Sequence, residues 1–281
     1  MPNARLHDGS HIDVTVLGDG PAVLLPIGVR EIEGPAAEEL RAWGADPGLG
    51  HTLASALTGA GLRVVAADYE AHRTGHPAAR TLDAAAVSTD LLAIADAARA
   101  PRFAYYGYSW LAVAGLQLAL RTDRLTALVM GGYPPLGGPY DAMLAVTRVA
   151  HRMAIAHRDN PPPPPAGEPV PGDWESVPFT RTPEQTGQYV TLYESLRDPD
   201  AFESVPLSVP RLAFAGEKDV IAYGPQWDDA VVDIAGPLIA RRDELTARGW
   251  RVEVVPGADH MAAMQAEVVL PFLLPFLKAN A

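Results

Sequence analysis

At positions 105–111 the chain reads Tyr-Tyr-Gly-Tyr-Ser-Trp-Leu. The apolar residues Phe103 to Tyr106 predict a buried strand, and the Ala- and Leu-rich residues Trp110 to Arg121 predict a helix. Ser109 then stands at a sharp strand-to-helix turn, where Gly107 supplies the small neighbour that such a turn requires. A hydroxyl presented there, beside the first N–H groups of a helix, is placed to act as a nucleophile.

The composition excludes several classes of function. The formal net charge of −12 argues against binding to nucleic-acid phosphates or to an anionic membrane surface. The chain has no cysteine, which excludes disulfides, thiolate metal sites and a cysteine nucleophile. The N-terminus lacks an apolar signal core, and the best apolar run, Val268 to Leu277, is broken by two prolines. We therefore expect a soluble, cytoplasmic protein that acts on a small molecule.

Strand and helix signals alternate along most of the chain. Strands are predicted over 11–17, 22–26, 62–68, 103–106, 125–131, 211–215 and 251–255, and helices over 35–43, 49–59, 81–100, 110–121, 228–248 and 265–279. A hairpin turn is predicted at Asp8-Gly9, and a polar loop follows the strand 62–68 through Gly75 and Pro77. This alternation is typical of βαβ units and a mostly parallel sheet.

Residues 133–209 interrupt the alternation, because no convincing buried strand is predicted there. Two helices are predicted, at Tyr140–His157 and Pro183–Leu196. Between them Pro161 to Pro165 predict a stiff extended loop, which we favour over a docking motif for a proline-binding partner.

This pattern predicts two parts of the chain. Residues 1–132 and 210–281 form the core, and residues 133–209 form a helical lid that covers one end of the sheet. Trp174, Tyr189 and Tyr193 are candidates for the underside of that lid.

Two further chemical groups come directly after predicted strands. Asp219 ends the stretch Gly-Glu-Lys-Asp at 216–219, and His260 ends Pro-Gly-Ala-Asp-His at 256–260. Because the carboxyl ends of parallel strands meet at one edge of a sheet, we expect both groups to converge on Ser109. His260 would take the serine proton, while Asp219 would fix the imidazole tautomer and stabilise its charged form.

The motifs at 107–110, 216–219 and 256–260 resemble those of the α/β-hydrolase superfamily, and the resemblance covers nearly the whole chain. It implies an α/β fold with an eight-stranded, mostly parallel sheet, an antiparallel second strand and a lid inserted after the sixth strand. It also implies that Ser109 is the nucleophile, Asp219 the acid and His260 the base. Asp68 and the loop after it are similar to the segment that follows the fourth strand in that family.

Two positions depart from the family pattern. Leu111 stands two residues after the serine, where the family usually has a small residue, and we expect Ala112 and Gly115 to relieve the crowding. Ile27 replaces the histidine of the usual His-Gly after the third strand. Because an oxyanion hole uses backbone N–H groups, those of Val29 and Trp110 remain its expected donors.

Other side chains are weaker candidates for the site. Arg30, Tyr69, Tyr108 and Tyr133 are candidate substrate contacts. Packing is an equal alternative for the tyrosines, and pairing with neighbouring glutamates explains Arg30 more readily. His72 and His76 have a spacing that binds zinc on a helix, but Gly75 and Pro77 argue against a helix there. We expect neither a metal nor a cofactor.

The sequence predicts a serine hydrolase that cleaves a carboxylic ester or thioester of a small to medium apolar acid through an acyl-enzyme. The same triad is compatible with carbon–carbon bond hydrolysis, perhydrolysis or acyl transfer, including cyclisation. A binding protein without catalysis is the alternative outside enzymology, and the departures at Leu111 and Ile27 are the features that could support it.

Overall fold

The structure is a computed structural model, and it describes residues 2–160, 170 and 179–281. The strands are β1 (Asn3–Arg5), β2 (His11–Asp13), β3 (Thr15–Leu17), β4 (Ala22–Leu25), β5 (Arg63–Ala66), β6 (Phe103–Tyr108), β7 (Leu125–Gly131), β8 (Arg211–Gly216), β9 (Val220–Ala222), β10 (Val231–Asp233) and β11 (Trp250–Val255). The helices are α1 (Pro35–Ala42), α2 (Leu49–Gly59), α3 (Tyr69–Gly75), α4 (Ala84–Ala97), α5 (Trp110–Ala119), α6 (Tyr140–Asp159), α7 (Pro183–Glu194), α8 (Asp200–Glu203), α9 (Ala235–Ala240), α10 (Arg242–Ala247), α11 (His260–Ala263) and α12 (Ala266–Asn280). The predictions for Pro161–Pro165 and Trp174 lie outside the described residues.

The main sheet has the strand order β3-β5-β4-β6-β7-β8-β11. Strands β5, β4, β6, β7, β8 and β11 pair in parallel, and only the edge pair β3–β5 is antiparallel. All parallel strands therefore end at one edge of the sheet, which places the segments after β4, β5, β6, β7, β8 and β11 side by side. The prediction of a mostly parallel α/β sheet is confirmed.

The predicted count of eight strands differs from the seven in the main sheet. The predicted strand 11–17 is interrupted at Val14, whose side chain is fully buried and whose N–H donates to the carbonyl of Pro2. Its first half, β2, pairs with β1 in a separate two-stranded sheet, while its second half, β3, pairs with β5. The hairpin predicted at Asp8-Gly9 joins β1 and β2, with Gly9 in the left-handed region at φ 83°.

The sheet separates two apolar layers. In β4, Val23 and Leu25 belong to the layer beneath α2 and α12, while Leu24 belongs to the layer that contains α4 and α5. Successive side chains of a strand point to opposite faces, so a continuous apolar run such as β4 is what a sheet covered on both faces requires. Leu57 of α2 and Leu91 of α4 are fully buried on the two faces.

Two segments differ from their predicted secondary structure. The predicted polar loop after β5 is helix α3, because the carboxylate of Asp68 accepts from the N–H of Ala71 and caps its first turn. The predicted helix 228–248 begins later, because Asp228 and Asp229 take left-handed backbone angles and β9 and β10 form a hairpin. Asp233 then accepts from the N–H of Gly236 where α9 begins.

Helices α6, α7 and α8 lie between β7 and β8, within the predicted lid segment 133–209. Helix α7 has a capping box, in which Thr182 and Gln185 exchange hydrogen bonds with each other's backbone N–H groups. It is joined to the last turn of α3 by hydrogen bonds from Gln185 to the carbonyl of Thr74 (2.9 Å) and from Gln188 to that of Arg73 (3.0 Å). The described part of the insertion is therefore docked on the core through α7.

Within the described residues, no helix is both long and apolar enough to cross a lipid bilayer. The described residues also contain no group of three or more His, Asp or Glu side chains arranged to hold a metal ion. His72 and His76 stack at 4.6 Å between ring centroids, at the end of α3.

A buried polar cluster fixes the β1–β2 hairpin against α3. The guanidinium of Arg73 is fully buried and donates to Asp8 (2.9 Å) and Ser10 (2.9 Å). His72 lies in hydrogen-bonding distance of the Ser10 hydroxyl, at 2.8 Å from Nε2. Burial, together with the positive charges of Arg73 and His76, lowers the pKa of His72 to about 4.

This lowered pKa predicts a pH-dependent stability. The unfolded chain binds a proton at His72 below its ordinary pKa of 6.5, whereas the folded protein does not until about pH 4, so the free energy of unfolding falls as the pH falls through this range. Because the ring is only partly buried, we expect the contribution to be about 1 kcal/mol. Chemical denaturation at pH 7.5 and 4.5 should therefore show a smaller loss of stability in His72→Gln than in the wild type. Equal losses would contradict the prediction.

Candidate active site

Ser109 lies at the turn between β6 and α5, as predicted. Its backbone has φ 56° and ψ −131°, a left-handed conformation that is rare for a residue with a side chain. Gly107 makes the turn possible, because a Cβ atom there would lie 2.3 Å from the carbonyl oxygen of Leu111. The turn presents Ser109 as the cap of α5, and its hydroxyl caps no backbone N–H of that helix.

Leu111 is accommodated without opening the sheet. Its side chain is buried in the layer between the sheet and α4, and its carbonyl accepts from the hydroxyl of Tyr105 at 2.7 Å. Gly115 does not make room for Leu111 as expected. It makes room for the ring of Tyr105, which would lie 2.4 Å from a Cβ atom at position 115. The protein therefore accommodates the larger Leu111 through the side chain of Tyr105 on the preceding strand, β6.

Asp219 and His260 meet at the same edge of the sheet. Nδ1 of His260 lies 2.9 Å and 3.0 Å from the two carboxylate oxygens of Asp219, whose side chain is completely buried. The loops that carry them are joined by backbone bonds, in which Glu217 donates to Val255 and Lys218 donates to Ala258. With Nδ1 bonded to the carboxylate, Nε2 is the nitrogen left for proton transfer.

Gly131 and Gly132, at the end of β7, connect the serine with the histidine. The N–H of Ser109 donates to the carbonyl of Gly131 at 2.8 Å. A Cβ atom on Gly132 would lie 3.0 Å from Cε1 of His260 and 2.6 Å from the ring of Tyr108. The imidazole of His260 therefore lies against the strand end to which Ser109 is hydrogen-bonded.

No hydrogen bond joins the Ser109 hydroxyl to His260 among the residues that the structure describes. Such bonds are often long in the absence of substrate and shorten when it binds, so this geometry is compatible with proton transfer. Tyr108 helps to position His260, because its hydroxyl donates to the carbonyl of His260 at 2.7 Å and its ring centroid lies 5.0 Å from that of the imidazole.

The expected oxyanion donors lie on the two loops that follow β4 and β6. The backbone N–H groups of Val29 and Trp110 have no acceptor in the described part of the chain. Helix α2 supports the first loop closely, since a Cβ atom on Gly50 would lie 1.9 Å from the carbonyl oxygen of Gly28. A pair of N–H groups without partners at this edge can stabilise a developing oxyanion.

The tentative substrate contacts fall into two groups. Tyr69 and Tyr133 are buried and pack inside the protein. The hydroxyl of Tyr69 donates to Asp90 at 2.7 Å, and the ring of Tyr133 lies 5.3 Å from that of Tyr140. Both tyrosines therefore pack within the protein, and their contact with substrate stays a prediction. Tyr108 supports His260, and Arg30 is exposed on the loop after β4, where it interacts with another group.

A cavity of about 460 Å³ lies between the core and the helical insertion, at the same edge of the sheet. We name it the Glu70 cavity; it is lined by side chains of α1, α3, α6 and α7, by Trp43, by residues 179–181, and by Tyr223 and Trp227. Ser109 and His260 are not among its described lining residues; it adjoins the site through Trp110, the residue after Ser109, whose ring packs edge-on against Tyr189 of the wall with 5.4 Å between centroids. Volumes of this size are usual for small-molecule sites.

No motif in the sequence pointed to Glu70, which lies in the first turn of α3 and lines this cavity. Glu70 is exposed to solvent, although protein atoms crowd around its carboxylate. This partial desolvation raises the pKa of Glu70, against the opposing influence of Arg181 and the Trp110 indole. Carboxyl groups with a raised pKa in a cleft are characteristic of functional sites.

A second cavity, of about 270 Å³, lies at the opposite edge of the sheet. It is lined by Arg211 and Trp250, the first residues of β8 and β11. Because ligands of open α/β sheets bind at the carboxyl ends of the strands, the Glu70 cavity is the better candidate for the substrate.

The fold is that of the α/β hydrolases. Over the full length of this chain and 99% of its own, epoxide hydrolase A from Mycobacterium thermoresistibile superposes with a TM-score of 0.58 at 19% sequence identity. The bromoperoxidase from Bacillus anthracis gives 0.57 at 19% identity, covering 98% of this chain and 99% of its own. The enol-lactonase from Burkholderia xenovorans LB400 gives 0.56 at 16% identity, with the same coverage. No family model matches the sequence, and no curated protein matches it either.

The close packing around Gly132 predicts that a single methyl group added at this residue slows the reaction at Ser109. In Gly132→Ala the new Cβ would displace the rings of Tyr108 and His260, and we expect the rate at which an active-site-directed fluorophosphonate labels Ser109 to fall about 100-fold.

Gly61→Ala is the matched control, because Gly61 also has a positive φ but nothing within 4 Å of the added Cβ atom. Both variants carry a backbone cost of about 1 kcal/mol for a left-handed residue. Thermal unfolding should therefore shift in both, and labelling should slow in Gly132→Ala alone. Equal labelling rates would contradict the role of Gly132.

Proposed function

We propose that this protein is a serine hydrolase that cleaves a carboxylic ester or thioester. Ser109 Oγ attacks the acyl carbon while His260 accepts the serine proton, and the N–H groups of Val29 and Trp110 stabilise the tetrahedral oxyanion. His260 then donates the proton to the leaving alcohol or thiol, which departs and leaves an acyl-serine. Water, deprotonated by His260, attacks the acyl-serine and releases the acid. The observation that supports this most directly is the bond between the buried Asp219 carboxylate and Nδ1 of His260.

The identity of the nucleophile favours acyl chemistry over epoxide opening, although epoxide hydrolases share the fold. Attack by a serine on an epoxide carbon would leave a serine alkyl ether. An ether has no carbonyl carbon that water could attack, so the enzyme could not be regenerated by this triad. An acyl-serine has such a carbon, and the oxyanion donors would stabilise both of its tetrahedral intermediates.

We further propose that residues 133–209 act as a lid over the site, on a core formed by 1–132 and 210–281. The position of α6 and α7 along one side of the Glu70 cavity supports this assignment. The hydrogen bonds from α7 to the last turn of α3 support a lid that is held in place at this helix. Substrate would then enter beside α7 without displacement of that helix.

Replacement of the nucleophile tests the proposed reaction. Ser109→Ala should abolish fluorophosphonate labelling and reduce the kcat for a 4-nitrophenyl ester by at least about 10⁴-fold, because the covalent step is lost. The exposed Ser55 of α2 provides the control, and Ser55→Ala should behave as the wild type. Equal labelling of wild type and Ser109→Ala would reject the assignment. If the protein binds esters but does not turn them over, it is instead the binding protein without catalysis that was considered above.

Heavy-oxygen water separates hydrolysis from the other reactions open to this triad. In H₂¹⁸O the released acid should contain one ¹⁸O atom per turnover, because water attacks the acyl-serine. Acyl transfer or cyclisation would give a product without ¹⁸O, and mass spectrometry of the product distinguishes the two. Perhydrolysis would require hydrogen peroxide in the assay and would yield a peracid.

A further inference from the structure

The polar and aromatic groups around the Glu70 cavity indicate what kind of substrate it accepts. Among the residues that the structure describes, two carboxylates, Glu39 and Glu70, and one guanidinium, Arg181, line the cavity, so the formal charge of this described lining is negative. The described lining also contains five aromatic side chains: Trp43, Phe179, Tyr189, Tyr223 and Trp227. A negative cavity with aromatic walls is suited to a cation, because ring faces attract positive charge.

Among the groups that line the cavity, the Glu70 carboxylate is the one that a bound cation would stabilise most. In the described part of the chain no salt bridge engages its carboxylate. The indole N–H of Trp110 lies close enough to lower the pKa of Glu70 but does not form a hydrogen bond of ordinary geometry. Arg181, which lines the same cavity, only partly offsets the desolvation of this solvent-exposed carboxylate. An anion in the cavity would add to this cost and a neutral group would leave it unchanged, whereas an ammonium group would offset it.

The position of Glu70 also connects the cavity with the chemistry. Glu70 lies beside the side chain of Trp110, and the backbone N–H of that residue is one of the two proposed oxyanion donors. Tyr189 of the cavity wall contacts the ring of Trp110, so a substrate bound at the oxyanion hole would enter the cavity by extending past this ring.

We propose that the Glu70 cavity binds a positively charged amine or quaternary ammonium group of the ester substrate, with Glu70 as its counter-ion. This inference rests on the proposed function, because it names the substrate class of the same site. Glu70 acts in binding and not in bond making, so its contribution should appear in KM more than in kcat.

Pairs of substrates that differ only in charge provide the test. The first pair is the butyryl thioesters of 2-(trimethylammonio)ethanethiol and of 3,3-dimethylbutanethiol. The second pair is the 4-nitrophenyl esters of 4-(trimethylammonio)butanoic acid and of 5,5-dimethylhexanoic acid. Each pair exchanges a trimethylammonium group for a tert-butyl group of nearly the same size, on the leaving group in the first pair and on the acyl group in the second.

In the wild type we expect kcat/KM to be about tenfold higher for the ammonium member of at least one pair. Glu70→Gln should bring this ratio close to one by raising KM for the charged member, while activity toward the neutral member stays within about twofold. Retained activity toward the neutral member also shows that the variant is folded. Glu267→Gln changes the net charge equally at an exposed position of α12 and should leave the ratio unchanged.

Two results would overturn the inference while leaving the hydrolase assignment intact. One is a wild type that turns over the neutral member of both pairs at least as well as the charged member. The other is a preference for the charged member that persists in Glu70→Gln. If no ester is cleaved and Ser109 is not labelled, the proposed function fails instead. Quenching of tryptophan fluorescence by benzyltrimethylammonium in wild type and Glu70→Gln then still decides the inference, because equal affinity in both proteins would refute it.

Discussion

The absence of side chains at the end of β7 is the constraint on which the rest of the site depends. Gly131 offers its carbonyl to the N–H of Ser109, and Gly132 leaves the space that the rings of Tyr108 and His260 occupy. A parallel sheet brings strand ends together, but it does not by itself let two rings approach a neighbouring backbone. Here two consecutive glycines allow the histidine, which follows β11, to reach across β8 to the end of β7, where the N–H of Ser109 is bound.

The left-handed backbone of Ser109 costs about 1–3 kcal/mol and must be imposed by its surroundings. Three contacts impose it. The strand before it is hydrogen-bonded to β7, the N–H of Ser109 is held by Gly131, and the carbonyl of Leu111 is held by the buried hydroxyl of Tyr105. Helix α5, buried along most of its length, closes the turn from the other side. The strain is therefore maintained by the core and not by the site itself.

The sequence predicted what depends on local pattern and missed what depends on packing. Ser109, Asp219 and His260 each follow an apolar strand signal, so the prediction that they converge needed only the parallel sheet, and the structure brings Asp219 and His260 into contact. The break at Val14 and the helix after Asp68 were missed, because each is determined by a single hydrogen-bonded residue inside an otherwise regular pattern. The tyrosines were ambiguous for the same reason. An aromatic residue near a strand end packs or faces a ligand according to neighbours from distant segments.

Helix α3 links the predicted lid to the cavity. Its first turn carries Glu70, and carbonyls near its end accept hydrogen bonds from Gln185 and Gln188 of α7. Because α7 also contributes Tyr189 to the cavity wall, the carboxylate and the aromatic wall are held in a fixed relation to each other. A preformed arrangement of this kind favours binding, since the side chains need little further ordering when a ligand arrives.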